Sequence, residues 1–275
     1  MNEEFEKEGL KIDKERALTY SQLACPFDCV YCFVEDINFN QHRFVNYLSE
    51  KQFELLKQLP KNVQLIMLGC DTEFFQDRTD SLEALNRLVG LKKDISVVSK
   101  MSLEEDFIDE LRKIDINLKE NGNFLTFSES IPCLESSPKW EPKAPDPLKR
   151  INTIEKVFGD GIKTLIAIRP LLPSVPNNEL EKIIDLTKNY CFGYYSGPLY
   201  MKDLNNPVLK DIDLKKLKVE KMQPHWMPEG NEFFKIEDEA KMEFLRETVE
   251  KNNKNLFEGA SEAITYLKTH EKSGN

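Results

Sequence analysis

Cys25-Pro26-Phe27-Asp28-Cys29-Val30-Tyr31-Cys32 gathers three of the chain's six cysteines into eight residues. Three residues separate the first pair and two the second, so one short loop can wrap its thiolates around a compact metal centre. Thiolates are the usual ligands of iron–sulfur clusters. Zinc is the main competitor, but a structural zinc site normally closes with four ligands. The next histidine is His42, ten residues beyond Cys32, and the others are His225 and His270. Three cysteines with no fourth ligand nearby point to a cluster that keeps one metal open.

Just before the motif lies ALTYSQL (17–23), a short run of strand character. Similar runs follow at VQLIMLG (63–69), ISVVSK (95–100), FLTFSES (124–130), TLIAIRPLLP (164–173) and CFGYYSGPLY (191–200). Each is rich in β-branched or aromatic residues and short enough for a strand. Between them the spacing predicts helices over about 44–59, 80–93, 103–120, 146–159 and 177–190. In the third, Leu103, Phe107, Ile108, Leu111 and Ile114 recur on one stripe, and Ser102 with Glu105 reads as a capping box. Asp146-Pro147 and Asn177-Asn178 are start signals for the last two.

Six strands alternating with five helices imply a parallel sheet with helices outside. A full eight-unit barrel takes ~250 residues, whereas this alternation ends near residue 200. The expected class is therefore α/β, a partial (βα)6 TIM-like open barrel with a C-terminal extension. Residues 1–16 read as a lead-in, 17–200 as the core, and 201–275 as a cover segment and helix of the same domain. Within that last part, MQPHWMPEGNEFFKI (222–236) reads as a hairpin or cover loop turning at Pro228-Glu229-Gly230-Asn231. A long helix carrying Phe244, Leu245, Thr248 and Val249 on one face follows. Sites of such folds lie at the carboxyl ends of the strands, where the cysteine motif stands.

The 275 residues are 40% hydrophobic and 31% charged, an ordinary globular composition. Acidic residues outnumber basic ones by 48 to 38, for a net charge of −10. That argues against extended duplex DNA held by an overall positive field, while leaving room for a local basic groove. No apolar run reaches the ~18 residues of a membrane span, and the start MNEEFEKEGLKIDKER has no signal-peptide stretch. The expectation is a cytoplasmic protein without membrane association, its cysteines reduced rather than paired in disulfides.

CxxxCxxC with an aromatic residue, Tyr31, before its last cysteine, at the end of the first strand of a βα series, resembles the radical S-adenosylmethionine (radical SAM) superfamily. The resemblance spans about residues 17–200. It implies that Cys25, Cys29 and Cys32 hold a [4Fe–4S] cluster whose fourth iron binds S-adenosyl-L-methionine. It further implies reductive cleavage to a 5′-deoxyadenosyl radical that abstracts hydrogen from an unidentified substrate. Several short segments look like the spore photoproduct lyase-like, or DNA repair photolyase-like, branch. They are Gly69-Cys70-Asp71-Thr72-Glu73-Phe74-Phe75-Gln76, Ser99-Lys100, Phe127-Ser128-Glu129-Ser130-Ile131, Trp140-Glu141-Pro142-Lys143 leading to Arg150, and Arg169-Pro170-Leu171-Leu172-Pro173. Gly69-Cys70-Asp71 stands where many other branches carry Gly-Gly-Glu.

The resemblance makes Tyr31, Gly69, Asp71, Glu73, Lys100, Ser128 and Arg169 the candidate cofactor-binding residues. A lysine suits a carboxylate and a serine hydroxyl adds a donor; the alternatives are a solvated lysine and a turn hydroxyl. Asp71 and Glu73 could accept from an amine or ribose hydroxyls, or cap the helix that follows. Arg169 could hold a substrate anion or a cofactor carboxylate, or pair with an acidic neighbour. Cys70 is the candidate catalytic residue, a thiol able to return a hydrogen atom, although buried free cysteines also simply pack. His225 and Trp226 could line a substrate mouth or form a hydrophobic clamp. The implied partners are a substrate and a reductant such as flavodoxin or ferredoxin. The substrate reads as a nucleic acid base, nucleotide or related small molecule, with a peptide or RNA as alternative. A reading of another class is a non-catalytic protein holding a structural cluster or zinc.

Overall fold

The computed structural model describes residues 2–20, 24–37, 47–227 and 229–271. Residues 21–23 of the first expected strand, residues 44–46 of the first expected helix, His42 and Pro228 lie outside them. The chain opens with α1 (Asn2–Lys7), β1 (Leu10–Asp13) and β2 (Arg16–Thr19), followed by α2 (Glu50–Leu56) and β3 (Leu65–Leu68). Next come α3 (Arg78–Val89), β4 (Asp94–Ser99), α4 (Glu105–Lys119) and β5 (Leu125–Ser130). After the single turn α5 (Ser137–Trp140), the alternation resumes with α6 (Pro147–Gly159), β6 (Lys163–Ile168), α7 (Asn177–Thr187) and β7 (Gly193–Ser196). The remainder holds β8 (Leu199–Met201), β9 (Lys218–Met222), β10 (Phe233–Glu237), α8 (Glu239–Lys251), β11 (Asn255–Phe257) and α9 (Ala260–Glu271).

The main sheet has eight strands in the order β1-β2-β3-β4-β5-β6-β7-β11. Every pairing is parallel except β1 with β2. This is the expected open, partial barrel. β5 and β6 are buried along their whole length, as parallel strands covered on both faces must be. The alternation of side chains then sorts the strands into two faces. Ile66, Leu68, Val97, Leu125, Phe127, Ile166 and Ile168 join the helix layer in the largest core cluster. Met67, Val98, Leu165, Ala167 and Tyr195 line the inner face.

Four local expectations differ. The Ser102–Glu105 capping box is absent: α4 starts at Glu105, its N-cap is Glu104, and no side chain caps it. The region expected as a lead-in contains α1 and a paired strand, β1. The single strand expected over 191–200 is two, broken at Gly197-Pro198, with β7 in the barrel and β8 in a separate antiparallel sheet of order β8-β10-β9. The hairpin over the expected cover loop is present as β9 and β10. After α8 the chain adds a further parallel strand, β11, and α9. Ala260 and Ala263 of α9 pack against Leu165, Ala167 and Tyr195 on the inner face; their small side chains let the helix approach the strands closely. No helix of the described residues is long and apolar enough to cross a membrane.

Candidate functional site

A cavity of about 260 Å³ opens at the carboxyl ends of the parallel strands. Gly69 to Glu73 enter it just past β3, Lys100 just past β4, Ser130 from the end of β5, and Arg169-Pro170 just past β6. Tyr20, Phe33, Tyr200 and Trp226 roof it, and the last three meet edge to face at 5.6–6.4 Å between centroids. Cys25, Cys29, Cys32, Tyr31, Gly69, Cys70, Asp71, Glu73, Lys100 and Arg169 all line this space. Ser128 does not. It lies fully buried on the inner face beneath Ser130, beside the Tyr195 phenol, which burial raises and the Ser128 hydroxyl lowers.

The cysteine loop is clasped from one side by residues 140–143. The Val30 amide donates to the Trp140 carbonyl at 3.1 Å, and Lys143 pairs with Asp28 at 2.9 Å. The buried Tyr31 hydroxyl donates to Glu141. Asp28 takes a positive φ of 51° where the loop turns. The other oxygen of Glu141 receives Arg150 at 2.6 Å, both side chains being fully buried, and Arg150 also donates to the Ser130 carbonyl at 2.7 Å. Lys100 approaches Glu141 at 3.8 Å. Burial is the largest influence on the Lys100 ammonium and works to lower it, but Glu141 together with Cys29 and Cys32 outweighs burial and holds it above its ordinary value. Burial raises the Cys29 thiol, with Lys100 pulling it down. Glu141 and Arg150 were visible in sequence as part of a motif, but nothing local assigned them a role.

Glu73 is consumed by positioning. Oε1 accepts from the Ser99 hydroxyl at 2.7 Å and the Phe75 amide at 3.0 Å, and Oε2 from the Lys100 amide at 2.9 Å. It thus caps the following turn and pins the end of β4 where Lys100 leaves the strand. Gly69 has φ of +78°, and a Cβ there would sit 2.3 Å from the Val98 carbonyl. Only glycine allows this turn and this approach to β4. Its amide is taken by the Tyr47 hydroxyl at 2.5 Å. Cys70 follows, its sulfur 3.5 Å from the Met67 carbonyl, and burial together with Asp71 pushes the thiol up to about 12.

Glu129 faces the helix side of β5, opposite in direction to Ser128 and Ser130. It is fully buried and neither carboxyl oxygen has a hydrogen-bond partner. Burial therefore drives it well above the usual carboxylate range, with Arg150 opposing.

The donor set suits an iron–sulfur cluster. All three thiols of the motif are free and face one cavity from one clasped loop. Among the described residues no group of three or more His, Cys, Asp and Glu converges as for a single metal ion. A cluster does not require that, since each thiolate binds a different iron.

No family model and no curated protein matches the chain. Solved structures do. Spore photoproduct lyase complexed with dinucleoside spore photoproduct aligns with a TM-score of 0.62 at 14% identity, covering 85% of this chain and 73% of that one. SuiB of Streptococcus suis bound to S-adenosylmethionine aligns with a TM-score of 0.60 at 14% identity, covering 93% of this chain and 52% of that one. SuiB bound to the precursor peptide SuiA aligns at 0.52 and 15% identity, over 70% and 41%. These likenesses show the fold: the chain is built as the radical SAM enzymes spore photoproduct lyase and SuiB are.

Proposed function

We propose that the protein is a radical SAM enzyme in which Cys25, Cys29 and Cys32 hold a [4Fe–4S] cluster and S-adenosylmethionine binds in the adjoining cavity. The observation carrying this reading is that the cysteine loop, Lys100 and Tyr31 share one cavity at the carboxyl ends of a parallel sheet. When bound, the cluster and S-adenosylmethionine supply one-electron reductive cleavage to a 5′-deoxyadenosyl radical.

The protein's own part is to hold, orient and exclude. Lys100, kept charged by Glu141, offers its ammonium to the cofactor carboxylate. Asp71 offers an acceptor, Glu73 acts by fixing Lys100, and Gly69 provides the close turn. Tyr31 braces the loop, and Ser128 supports the inner wall under Ser130. The aromatic roof keeps water from the reacting carbon. Cys70 lies on the cavity wall as a protonated thiol, the form able to return a hydrogen atom to a product radical. The solved neighbours are complexed with a dinucleoside and bound to a precursor peptide; the modest size of the cavity, about 260 Å³, favours a nucleic acid base, nucleotide or related small molecule here. The electron would come from a flavodoxin or ferredoxin.

Anaerobic reconstitution tests the proposal. About four irons per chain are expected, lost on Cys29→Ala, and reduced protein should release 5′-deoxyadenosine from S-adenosylmethionine. A full cluster with no 5′-deoxyadenosine under strong reductant would reduce the site to a structural cluster.

A further inference from the structure

We infer that Arg169 anchors an oxyanion of the substrate, a carboxylate or phosphate borne on a planar or apolar body. The inference rests on the proposed radical SAM reading and adds the chemical class of the substrate.

Arg169 is the cation at the cavity without an acid. Arg16 is held by Asp13 at 2.6 Å and Arg150 by Glu141, and Lys100 faces Glu141 as well. Among the described residues Arg169 has no carboxylate within ion-pair distance, and its one hydrogen bond is a long one, 3.4 Å, to the Glu258 carbonyl. The guanidinium is half-buried, and partial loss of water without a charged partner is unfavourable, so an incoming oxyanion recovers part of that loss. Guanidinium presents a flat fork matched to carboxylate and phosphate oxygens.

The surroundings are shaped for that side chain. A Cβ on Gly197 would meet Arg169 Nε at 3.1 Å and Cζ at 3.2 Å, and one on Gly259 would meet a terminal nitrogen at 3.6 Å. Gly197 thus leaves the space in which the guanidinium lies, and Gly259 borders it. Trp226 backs it with its ring centroid 5.9 Å from Cζ. Trp226, Tyr200 and Phe33 then supply apolar wall for the body of a ligand.

Its position separates this anion from that of the cofactor. Lys100 lies among Glu141, Cys29, Cys32 and Tyr31. Arg169 instead lies among Tyr195, Tyr200, Tyr20 and Trp226. The two cations thus have different immediate neighbours, although the Tyr195 phenol feels both, and on a chain of net charge −10 a local cation favours the entry of an anion.

Isothermal titration calorimetry of the anaerobically reconstituted protein tests this, with benzoate, phenyl phosphate and uncharged benzamide as probes. Benzoate or phenyl phosphate should bind saturably and benzamide at least ~10-fold more weakly; which of the two anions binds more tightly identifies the group. Arg169→Gln should weaken the better anion by ~10-fold or more, with Arg169→Lys in between because it keeps charge but not the fork. Equal binding of benzamide in the unaltered protein, or no binding of either anion, overturns the inference whatever the variants do. A parallel titration with S-adenosylmethionine separates the two readings. If Arg169→Gln weakens S-adenosylmethionine as much as it weakens the anion, Arg169 holds the cofactor and the inference fails. If the unaltered protein binds the anions through Arg169 but does not bind S-adenosylmethionine, the anion site stands and the radical SAM reading fails.

Discussion

The hydroxyl of Tyr31 donates to the carboxylate of Glu141, 110 residues along the chain. That one bond joins the cysteine loop to a buried ion pair beneath the cavity. Because Glu141 also faces Arg150 and Lys100, the loop expected to carry the cluster and the lysine expected to meet the cofactor are referred to the same carboxylate.

Glu141→Gln should therefore be strongly destabilising. It leaves the fully buried Arg150 guanidinium without its counter-charge, for which a loss of ~3–5 kcal/mol is typical. Urea unfolding of the variant checks this. Adding Arg150→Met should restore much of the loss, since the fully buried guanidinium is then gone; full additivity of the two changes would contradict a coupled pair.

Glu129 predicts a pH dependence with a definite sign. Its folded-state value is raised by burial, so the folded protein holds a proton that the unfolded chain has released. Stability from this group is fully present below about pH 4.5, the ordinary value, and declines as pH rises towards the folded value, by up to ~1.4 kcal/mol per unit. Glu129→Gln removes the titration. The stability of the variant relative to the parent should rise between pH 5 and pH 7 in denaturant unfolding, and a constant difference would show that Glu129 is ionised and paired.

Lys100→Ala should lower affinity for S-adenosylmethionine by ~10- to 150-fold, the loss of a charge-assisted contact, while iron content after reconstitution stays the same. Calorimetry against the reconstituted protein measures the first and iron analysis the second. An unchanged dissociation constant would leave Lys100 as a partner of Glu141 only.

Cys70→Ser keeps size and polarity but removes the weak S–H bond. Held protonated to about 12, the parent thiol carries its hydrogen throughout the neutral range. The variant should still form 5′-deoxyadenosine yet give altered or uncoupled product once a substrate is in hand, with stability lowered by ~1–2 kcal/mol. Identical product ratios would make Cys70 a packing residue.

The barrel could be read from the sequence because it is written in short-range patterns. Runs such as ISVVSK and FLTFSES, spaced by amphipathic helices, state a strand or helix within ten or fifteen residues, and strand β4 and helix α4 fall where those patterns put them. The cysteine motif is equally local, three ligands on one loop. The Ser102–Glu105 box failed at the same scale because a cap depends on which residue turns into the helix. The chain turns at Glu104, while the Leu103 amide is met by Thr153 from α6.

Contacts between distant segments decided the rest. That Ser130 and not Ser128 reaches the cavity depends on where β5 ends against β4 and β6. That Glu73 spends its carboxylate on Ser99 and Lys100 depends on two strand ends meeting side by side. That Arg169 meets no acid among the described residues, and lies against Gly197 and Trp226 instead, depends on three segments far apart in the chain. Period and spacing report what a residue does to its own element. The lack of a partner, for the buried Glu129 carboxyl and for the half-buried Arg169 guanidinium, is a property of the space the folded elements enclose.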